Sequence, residues 1–590
     1  MKSTPKSYIP NYPRPQLVRD NFLLLDGEWN FCFDENHSGD EKGYRYGFEP
    51  EYKINVPFTY ETEASGINIQ KVHNCVWYSR KVYLEKNEDR KIILNFEGSD
   101  YETKVFVNGN MVGSHKGGYS RFSFDITDYA ENGENLIVVC VRDSLDKAQP
   151  RGKQRWIKKS YACFYVQTTG IWKSVWIEYV PEVYVTSLKI TPNLENSSVL
   201  IEGTLNREFD CQVSAEIEFG NDFISNASTS VAGSKRFSLT VNVNSEKYPL
   251  WGVMLWSPSE PNLYDLSVKL LDEESEIIDE IKSYFGMREI SISGQNILLN
   301  GIPLYQKLLL DQGYWRESHL TPPSEGEIIN DISKIQSLGY NGVRKHMKIE
   351  DEKFLFWADV RGLLVWSEFP ATYTFCDDAV SNFTNEWMSV VRQNYSHPSI
   401  ITWTPFNESW GVPKIKTDKK QQDFTRAIYY LTKSYDSTRP VICNDGWEHT
   451  ISDIITLHDY EENIKAFSER YIDLNSLLSN KKSFSKTMFA MADGFKYEGQ
   501  PIIISEFGGI AVSGKGDGWG YGNKVEGEED FLSRFEAITD AIKAIPECSG
   551  YCYTQVSDVQ QEVNGLLDEN HEYKFSPEKI KEINDKQINC

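Results

Sequence analysis

The chain has 590 residues and a formal net charge of −24, from 62 basic and 86 acidic side chains. A composition of 40% hydrophobic and 25% charged residues is typical of a soluble globular protein, and the length predicts three or four domains. The acidic balance argues against nucleic acid or an anionic membrane as partner, because both are bound through basic patches.

From the sequence we expect neither an export signal nor a membrane-spanning segment. The N-terminal stretch MKSTPKSYIPNYPRPQ contains no apolar segment, and no apolar run reaches membrane-spanning length. The ten cysteines are scattered and form no CxxC pair, and Cys552 is expected to face the core of the last strand as a free thiol. We therefore predict a cytoplasmic protein.

The first part of the chain predicts a β-sandwich. Residues 1–20, rich in Pro and Tyr, are expected to lie extended over the surface. Leu23 to Glu35 has the pattern strand, turn, strand, and short alternating runs such as KIILNFEGS and NLIVVCVRD follow, with a turn at Asn108-Gly109. This spacing predicts a sandwich or jelly roll over residues 1–181. The residues alone fit a lectin-like sandwich equally well.

A second all-β segment is predicted for residues 182–284. Runs such as SSVLIEGTLN and YDLSVKLLD alternate between apolar and polar residues. No chemically active motif stands out there, so we expect a spacer with a structural role.

From residue 285 to 590, strands alternate with amphipathic helices, as βα units do. The candidate strands are Leu304–Leu310, Gly339–Arg344, Leu363–Glu368, Ile400–Asn407, Pro440–Asn444, Ile454–His458, Pro501–Glu506 and Gly550–Gln555. Eight such units predict a closed (β/α)8 TIM barrel.

Two of these strands end in glutamate. Ile400 to Gly411 reads IITWTPFNESWG and places Glu408 at a strand end, and Pro501 to Gly509 reads PIIISEFGG and does the same for Glu506. Barrel enzymes keep their catalytic groups at this end of the strands. Two carboxyl groups suffice to cleave a glycosidic bond, because one can protonate the leaving oxygen while the other attacks the anomeric carbon.

Other polar residues recur at the same strand ends. They are Asp311, Arg344, His346, Glu368, Trp447, His458 and Tyr460. Their recurrence at one face predicts a site in which they contact each other or a substrate. The Gly-rich segment Ser513 to Glu526 follows the Glu506 strand and is either a lid or an ordinary surface loop.

FNESWG and ISEFGG resemble the acid/base and nucleophile signatures of glycoside hydrolase family 2, which holds β-galactosidases, β-glucuronidases and β-mannosidases. LDGEW, VNG and TTGIWKSVW resemble that family's sugar-binding domain, and LWSPSEPNLYDL resembles its immunoglobulin-like domain. The resemblance implies a jelly-roll β-sandwich (1–181), an immunoglobulin-like β-sandwich (182–284) and a catalytic TIM barrel (285–590). It also implies that loops of the first domain reach the rim of the active site.

The resemblance further implies roles for individual residues. Glu408 matches the acid/base and Glu506 the nucleophile. Asn407 matches the residue that hydrogen-bonds the sugar 2-hydroxyl. Arg344 is expected to keep the nucleophile ionised, and Tyr460 to hydrogen-bond it.

Further substrate contacts are expected around this pair. His346 and Asp311 fall where the family contacts the hydroxyls of the terminal sugar. Trp447 follows strand five, and Tyr553 lies on the last strand, where many members place a tryptophan platform. We expect both to contact the substrate.

Two departures from the family pattern bear on cofactor and substrate. The Glu-x-His metal pair of some β-galactosidases is replaced by Glu368-Phe369-Pro370, so we predict no metal and no cofactor. Where β-glucuronidases carry Asn-x-Lys, this chain has Glu562 and Asn564, which disfavours a uronate unless a lysine such as Lys515 arrives from elsewhere.

From these features we expect a retaining exo-β-glycosidase for terminal neutral sugars, of β-galactosidase type, acting on an oligosaccharide or glycoside. The alternatives are β-mannosidase or furanosidase activity, less readily β-glucuronidase activity, or a catalytically silent carbohydrate-binding protein. The sequence leaves homo-oligomer formation open.

Overall fold

A computed structural model describes residues 4–248, 252–483, 487–514 and 518–587. In this part of the chain a jelly-roll sandwich, an immunoglobulin-like unit and a parallel barrel follow one another. The predicted fold class is confirmed. The last strand of the first unit ends at Pro181 and the second unit begins at Val185, whereas the second unit ends at Phe285 and the next sheet begins at Ile290. The predicted domain limits 1–181, 182–284 and 285–590 stay a proposal.

The jelly roll is built from twelve short strands. They are β1 (Phe22–Leu24), β2 (Gly27–Phe33), β3 (Tyr52–Val56), β4 (Cys75–Leu84), β5 (Arg90–Phe96), β6 (Ser99–Asp100), β7 (Glu102–Val107), β8 (Asn110–Lys116), β9 (Phe122–Asp125), β10 (Gly133–Arg142), β11 (Gly170–Ile171) and β12 (Val175–Pro181). The sheets β1-β12-β5-β9 and β3-β2-β4-β10-β7-β8 enclose a core that includes Trp29, Phe31, Tyr78 and Phe96. Alternation of buried and exposed side chains places one face of each sheet on this core.

The second domain contains five strands. They are β13 (Val185–Asn193), β14 (Ser198–Phe219), β15 (Asp222–Asn242), β16 (Tyr264–Leu271) and β17 (Ile277–Phe285). The register between β14 and β15 shifts near Phe209, and the two halves of β14 pair with β13 and β16 respectively. Both halves therefore contribute to one apolar core, which includes Val199, Ile201, Val213 and Ile217.

A three-stranded hairpin, β18 (Ile290–Ser293), β19 (Asn296–Leu299) and β20 (Ile302–Pro303), leads into the barrel. The barrel elements are β21 (Gln306–Asp311), α1 (Glu325–Ser337), β22 (Gly342–Lys345), α2 (Glu352–Arg361), β23 (Leu364–Glu368), α3 (Asp377–Asn394), β24 (Ile400–Thr404), β25 (Phe406–Asn407), α4 (Lys419–Tyr435), β26 (Asn444–Asp445), β27 (Ile455–His458), α5 (Ile464–Tyr471), α6 (Leu474–Leu478), β28 (Ile502–Gly508), α7 (Glu528–Lys543), β29 (Cys548–Thr554) and α8 (Pro577–Asp585).

Seven barrel strands form one parallel sheet in the order β24-β23-β22-β21-β29-β28-β27. The short β26 fills the remaining place by pairing with β25, which continues the chain of β24. All eight predicted strands are thus present, and the fifth is much shorter than the predicted Pro440–Asn444. The polar strand ends meet at one mouth of the barrel.

Residue alternation decides which side chains fill the barrel interior. Leu308, Trp366, Ile503 and Cys552 belong to an inner apolar cluster. Cys552 is a buried free thiol, as predicted, and all nine cysteines of the described residues are free. On β22, a Cβ at Gly342 would lie 2.7 Å from Leu308 and from Leu364. A larger residue would not fit there without displacing these neighbours.

The N-terminal segment, residues 4–21, differs from its prediction. Tyr12, Leu17 and Val18 are buried rather than laid over the surface. The segment gains this burial because Val18 exchanges backbone hydrogen bonds with Lys282, and Tyr12 donates to Glu178. In the described part of the chain, no helix combines the length and apolarity that crossing a membrane requires.

Candidate active site

Glu408 and Glu506 lie at the barrel mouth, on the ends of β25 and β28. A carboxylate oxygen of each lies within 4.8 Å of one of the other. The Glu408 side chain is 23% exposed and that of Glu506 is 5% exposed. Glu408 has a φ of 50°, in the left-handed region that non-glycine residues seldom adopt. Such backbone strain is commonly found at functional sites.

Arg344 is the cationic centre of the site and is fully buried. It projects into the barrel because it shares the inward face of β22 with Gly342. Its guanidinium contacts Glu506 at 2.8 Å, Glu368 at 2.6 Å and Asp445 at 2.9 Å. Burial opposes its charge, but Asp445, Glu368 and Glu506 hold the pKa of Arg344 well above its ordinary value.

His458, at the end of β27, contacts three carboxylates. Its Nδ1 lies 2.8 Å from Glu408 and 3.5 Å from Glu506, and its Nε2 lies 3.0 Å from Asp445. Burial alone would lower the pKa of His458, but Glu506 and Asp445 raise it to about 10. The ring is therefore an imidazolium at neutral pH and carries a second positive charge into the site.

These charges set the ionisation of Glu506. Burial would raise its pKa, but His458 and Arg344 lower it to about 2. Tyr460 donates a hydrogen bond to the other carboxylate oxygen of Glu506. Burial and the Glu506 charge raise the pKa of Tyr460 well above its usual value, so its hydroxyl keeps its proton. Glu506 is thus held as a carboxylate, as a nucleophile requires.

Asn407 accepts a hydrogen bond from Arg344 at 2.7 Å through its side-chain oxygen. Its amide nitrogen is buried and has no partner among the described residues. A buried donor without a partner is costly, so this nitrogen is available for a substrate oxygen. His346 Nδ1 lies 3.0 Å from Arg344 and 2.8 Å from Glu368. Burial, with Lys153 and Arg344 nearby, holds the pKa of His346 well below its usual range.

Metal binding is not the role that these contacts favour. Glu408, His458 and Glu506 are close enough to share an ion, but the His458 ring already directs one nitrogen to Glu408 and the other to Asp445. Glu368 is fully buried and engaged by Arg344 and His346. Independence from metal stays a prediction, for which the expected result is full activity after EDTA treatment.

Two further predicted residues have different surroundings. The Asp311 carboxylate contacts the Lys345 ammonium at 2.7 Å and accepts from the Gly313 amide. It is thus already paired, and its contact with sugar stays a prediction. Trp447 packs edge-on against the His458 ring, with 5.6 Å between centroids. Trp447 is half-buried beside His458, and its contact with a substrate stays a prediction.

Tyr553 does not line the site, which corrects its prediction. Its ring is fully buried between Phe507 and Phe535, on the helix side of β29. Its neighbour Thr554 faces the mouth instead, with its hydroxyl 2.9 Å from Tyr460. Side chains alternate along a strand, so placing Tyr553 inside would have required a shift of one residue.

Several site residues escaped the sequence reasoning. Asp445, which accepts from Ser505 and contacts Arg344, directly follows the predicted fifth strand, and that position was the available signal. Tyr521 stacks on Tyr460 with 3.4 Å between centroids. Lys153 comes from the jelly-roll domain, and no sequence signal linked it to the barrel.

The Gly-rich segment Ser513 to Glu526 was predicted to be either a lid or a surface loop. Its described residues lie docked at the barrel mouth. Trp519 exchanges backbone hydrogen bonds with Gln561 and Val563, and its indole donates to Ala162 of the jelly roll. Lys515 lies outside the described residues.

Glu562 is buried, and its carboxylate accepts hydrogen bonds from Tyr165 at 2.6 Å and Asn564 at 3.1 Å. Burial raises the pKa of Glu562. The Glu562 oxygens are therefore engaged with protein groups. The sequence had suggested an unpaired carboxylate that faces the substrate, and the structure does not show one at Glu562.

The chain is similar to known proteins both in sequence and in structure. A putative β-glucuronidase of Formosa agariphila is 28% identical over 502 residues, which are 79% of this chain and 56% of the relative. A Ruminococcus gnavus β-glucuronidase in complex with D-glucuronic acid is similar in structure, with a TM-score of 0.79, 18% identity and coverage of 97% of this chain and 99% of that one. A β-galacturonidase of Eisenbergiella tayi gives a TM-score of 0.76 at 21% identity, covering 98% and 99%. The two structures establish the shared fold.

These relatives contradict the prediction of β-galactosidase-type specificity for neutral sugars. The related sequence is named for glucuronides and both structures for uronides. The prediction of a neutral sugar relied on Glu562 and Asn564. In the structure, side chains of the jelly-roll domain also reach this position, and Tyr165 donates to Glu562.

Three family patterns cover most of the chain. The sugar binding domain of glycosyl hydrolases family 2 matches residues 22–181, the central family 2 domain matches 183–288, and the family 2 TIM barrel domain matches 290–535. Together with the paired glutamates, they show that the chain belongs to glycoside hydrolase family 2.

Proposed function

We propose that this protein is a retaining exo-β-glycosidase that hydrolyses terminal β-linked uronides, glucuronides first among them. The observation that carries the mechanism is the approach of Glu408 and Glu506 oxygens to within 4.8 Å. Retaining enzymes hold their carboxyl groups about 5–5.5 Å apart, whereas inverting enzymes leave roughly 6.5–9.5 Å for a water molecule.

In the first step the Glu506 carboxylate attacks the anomeric carbon of the sugar. The bond from that carbon to the leaving oxygen breaks, and Glu408 gives its proton to that oxygen. The product is a glycosyl ester on Glu506. The low pKa of Glu506, set by His458 and Arg344, keeps the attacking group ionised.

In the second step a water molecule attacks the same carbon, and Glu408, now a carboxylate, takes its proton. The ester bond to Glu506 breaks and the sugar leaves with its original β-configuration. The free amide nitrogen of Asn407 supports this scheme, because a donor beside the nucleophile can hold the sugar 2-hydroxyl in both transition states.

The uronide specificity is supported by the relatives. A uronate enclosed in a pocket needs a cationic or multiply hydrogen-bonded partner, since a buried unpaired carboxylate costs several kcal/mol. Arg344 and His458 are already engaged by carboxylates of the site, so this partner must come from another group at the barrel mouth.

The substrate test is kcat/KM for paired 4-nitrophenyl β-D-glucuronide, galacturonide, glucoside and galactoside at one pH and ionic strength. The glucuronide is expected to exceed both neutral glycosides by at least about 100-fold. A neutral glycoside that equals the glucuronide would refute the specificity. Proton NMR of the first product should show the β-anomer, and an initial α-anomer would refute retention.

Azide separates the roles of the two glutamates. Glu506→Ala should lose turnover, and azide should restore cleavage and give the α-glycosyl azide, because azide attacks the substrate directly. Glu408→Ala should give the β-azide from the ester intermediate. If both variants gave the same anomer, the assignment of the two roles would fail.

A further inference from the structure

A loop of the jelly-roll domain, residues 151–166, lies across the barrel mouth. On one side the backbone amide of Arg151 donates to Ala371 in the loop after β23, at 2.9 Å. Gly152 has a φ of 59°, and a Cβ there would lie 2.3 Å from the carbonyl oxygen of Met347. Only glycine permits this approach. The loop is thus fixed against the residue that follows His346.

On its other side the loop is fixed to the segments that follow β28 and β29. Gln561 donates to the carbonyls of Ala162 and Phe164, at 2.7 and 3.1 Å. Tyr165 donates to Glu562 at 2.6 Å and its amide donates to the carbonyl of Lys153 at 2.8 Å. The backbone of Lys153 is therefore anchored between two loops that border the Glu408 and Glu506 pair.

Lys153 differs from the other cations of this loop. Arg151 is paired with Asp143, and Arg155 donates to Gln167. Lys158 and Lys159 are exposed. Lys153 is half-buried, 5.8 Å from the centroid of the Phe164 ring and in contact with the Cys163 thiol. Within the described residues, no carboxylate lies within 4.0 Å of its nitrogen.

We propose that the Lys153 ammonium binds the carboxylate of the uronide substrate. The assignment rests on the function proposed above and names the residue that gives it specificity. A half-buried ammonium without a carboxylate partner, held at the rim beside both catalytic glutamates, is the kind of group that a uronate requires.

The charge of this lysine is maintained by its surroundings. Burial disfavours the ammonium form, but Cys163 and the carboxylates of Glu562, Glu506 and Glu408 raise the pKa of Lys153. These groups face it from the loop itself and from the barrel. Lys153 is therefore an ammonium at neutral pH and can bind a carboxylate without first taking up a proton.

The test compares two substrates that differ only in the group on C5. A β-D-glucuronide carries the carboxylate, and a β-D-xyloside carries hydrogen there. Lys153→Met should lower kcat/KM for the glucuronide by about 100-fold and change that for the xyloside by less than roughly threefold. Lys153→Arg keeps the charge and should retain roughly a tenth of the glucuronide activity. Lys158→Met, in the same loop but exposed, is the matched control and should leave both values unchanged.

The outcomes separate this assignment from the proposed function. A wild-type enzyme that prefers the xyloside would refute both. An enzyme that prefers the glucuronide but loses both substrates equally in Lys153→Met would refute only the role of Lys153. Should the methionine variant fold poorly, Lys153→Gln and Lys153→Arg carry the same comparison, and a Gln variant with wild-type glucuronide activity would overturn the assignment.

Discussion

At the scale of single residues, His458 holds the key electrostatic position. It lies between Glu408, Glu506 and Asp445, and its pKa is raised to about 10. In return its charge is among the causes that lower the pKa of Glu506 to about 2. The Glu506 carboxylate is therefore expected to stay ionised in mildly acidic solution, and its protonation at lower pH is expected to define the acid limb of the pH profile.

Replacing His458 should change that limb. Asparagine places an amide near the Nδ1 position but carries no charge, so His458→Asn should raise the pKa of Glu506. Because a protonated Glu506 cannot attack, activity is lost below that pKa, and the acid limb of kcat/KM should move upward by one pH unit or more. The profile is measured from pH 3 to 9.

The matched control is His571→Asn. His571 is also buried and ion-paired, but with Asp331, away from the two glutamates. Its substitution should leave the limb in place. An unchanged acid limb in His458→Asn would show that Arg344 and Tyr460 suffice to keep Glu506 ionised.

At the scale of elements, β29 contributes one side chain to the core and the next one to the site. Tyr553 packs toward α7, whereas Thr554 faces Tyr460. Because the Tyr460 hydroxyl donates to Glu506, the Thr554 hydroxyl is the donor in the contact between them. This bond fixes the orientation of the tyrosine toward the nucleophile.

Thr554→Val removes this hydroxyl without changing the shape of the side chain. A typical hydrogen bond contributes about 0.5–1.5 kcal/mol, so kcat should fall roughly threefold to tenfold. Tyr553→Phe is the control, because the Tyr553 hydroxyl does not reach the site. That hydroxyl accepts a hydrogen bond from the backbone amide of Ile510 at 3.4 Å. The control variant should stay within about twofold of wild type. The opposite pattern would restore the sugar-contacting role that the sequence predicted for Tyr553.

The same element shows what the sequence could predict. Apolar runs that end in Glu408 and Glu506 mark strand ends reliably, because a buried strand tolerates such residues only at its mouth. It was harder to predict which side chains of β29 point into the barrel, since Tyr551, Cys552 and Tyr553 are all apolar enough to be buried on either face. Lys153 could not be found at all, because a docked loop from another domain leaves no periodic signal in the barrel sequence.

At the scale of the whole molecule, the N-terminal segment ties the three domains together. Tyr8 donates to Glu325 at the start of α1, at 2.7 Å, and Val18 pairs with Lys282 on β17. Arg19 is buried and contacts Glu178 of the jelly roll at 3.1 Å and Asp279 of the second domain at 2.9 Å. The segment therefore adds contacts that no single domain could make alone.

Arg19→Met tests this connection. Methionine keeps the apolar stem but leaves Glu178 and Asp279 buried without their cation, and removing one partner of a buried ion pair costs about 3–5 kcal/mol. Calorimetry should show a transition lowered by roughly 5 °C or more, with kcat unchanged at 25 °C because Arg19 is remote from Glu506. Lys282→Met is the control: its ion pair with Asp20 is 39% and 69% exposed, and such pairs contribute about 0–1 kcal/mol. Equal melting of the two variants would mean that the Arg19 contacts do not couple the domains, and that their interface is held by apolar packing alone.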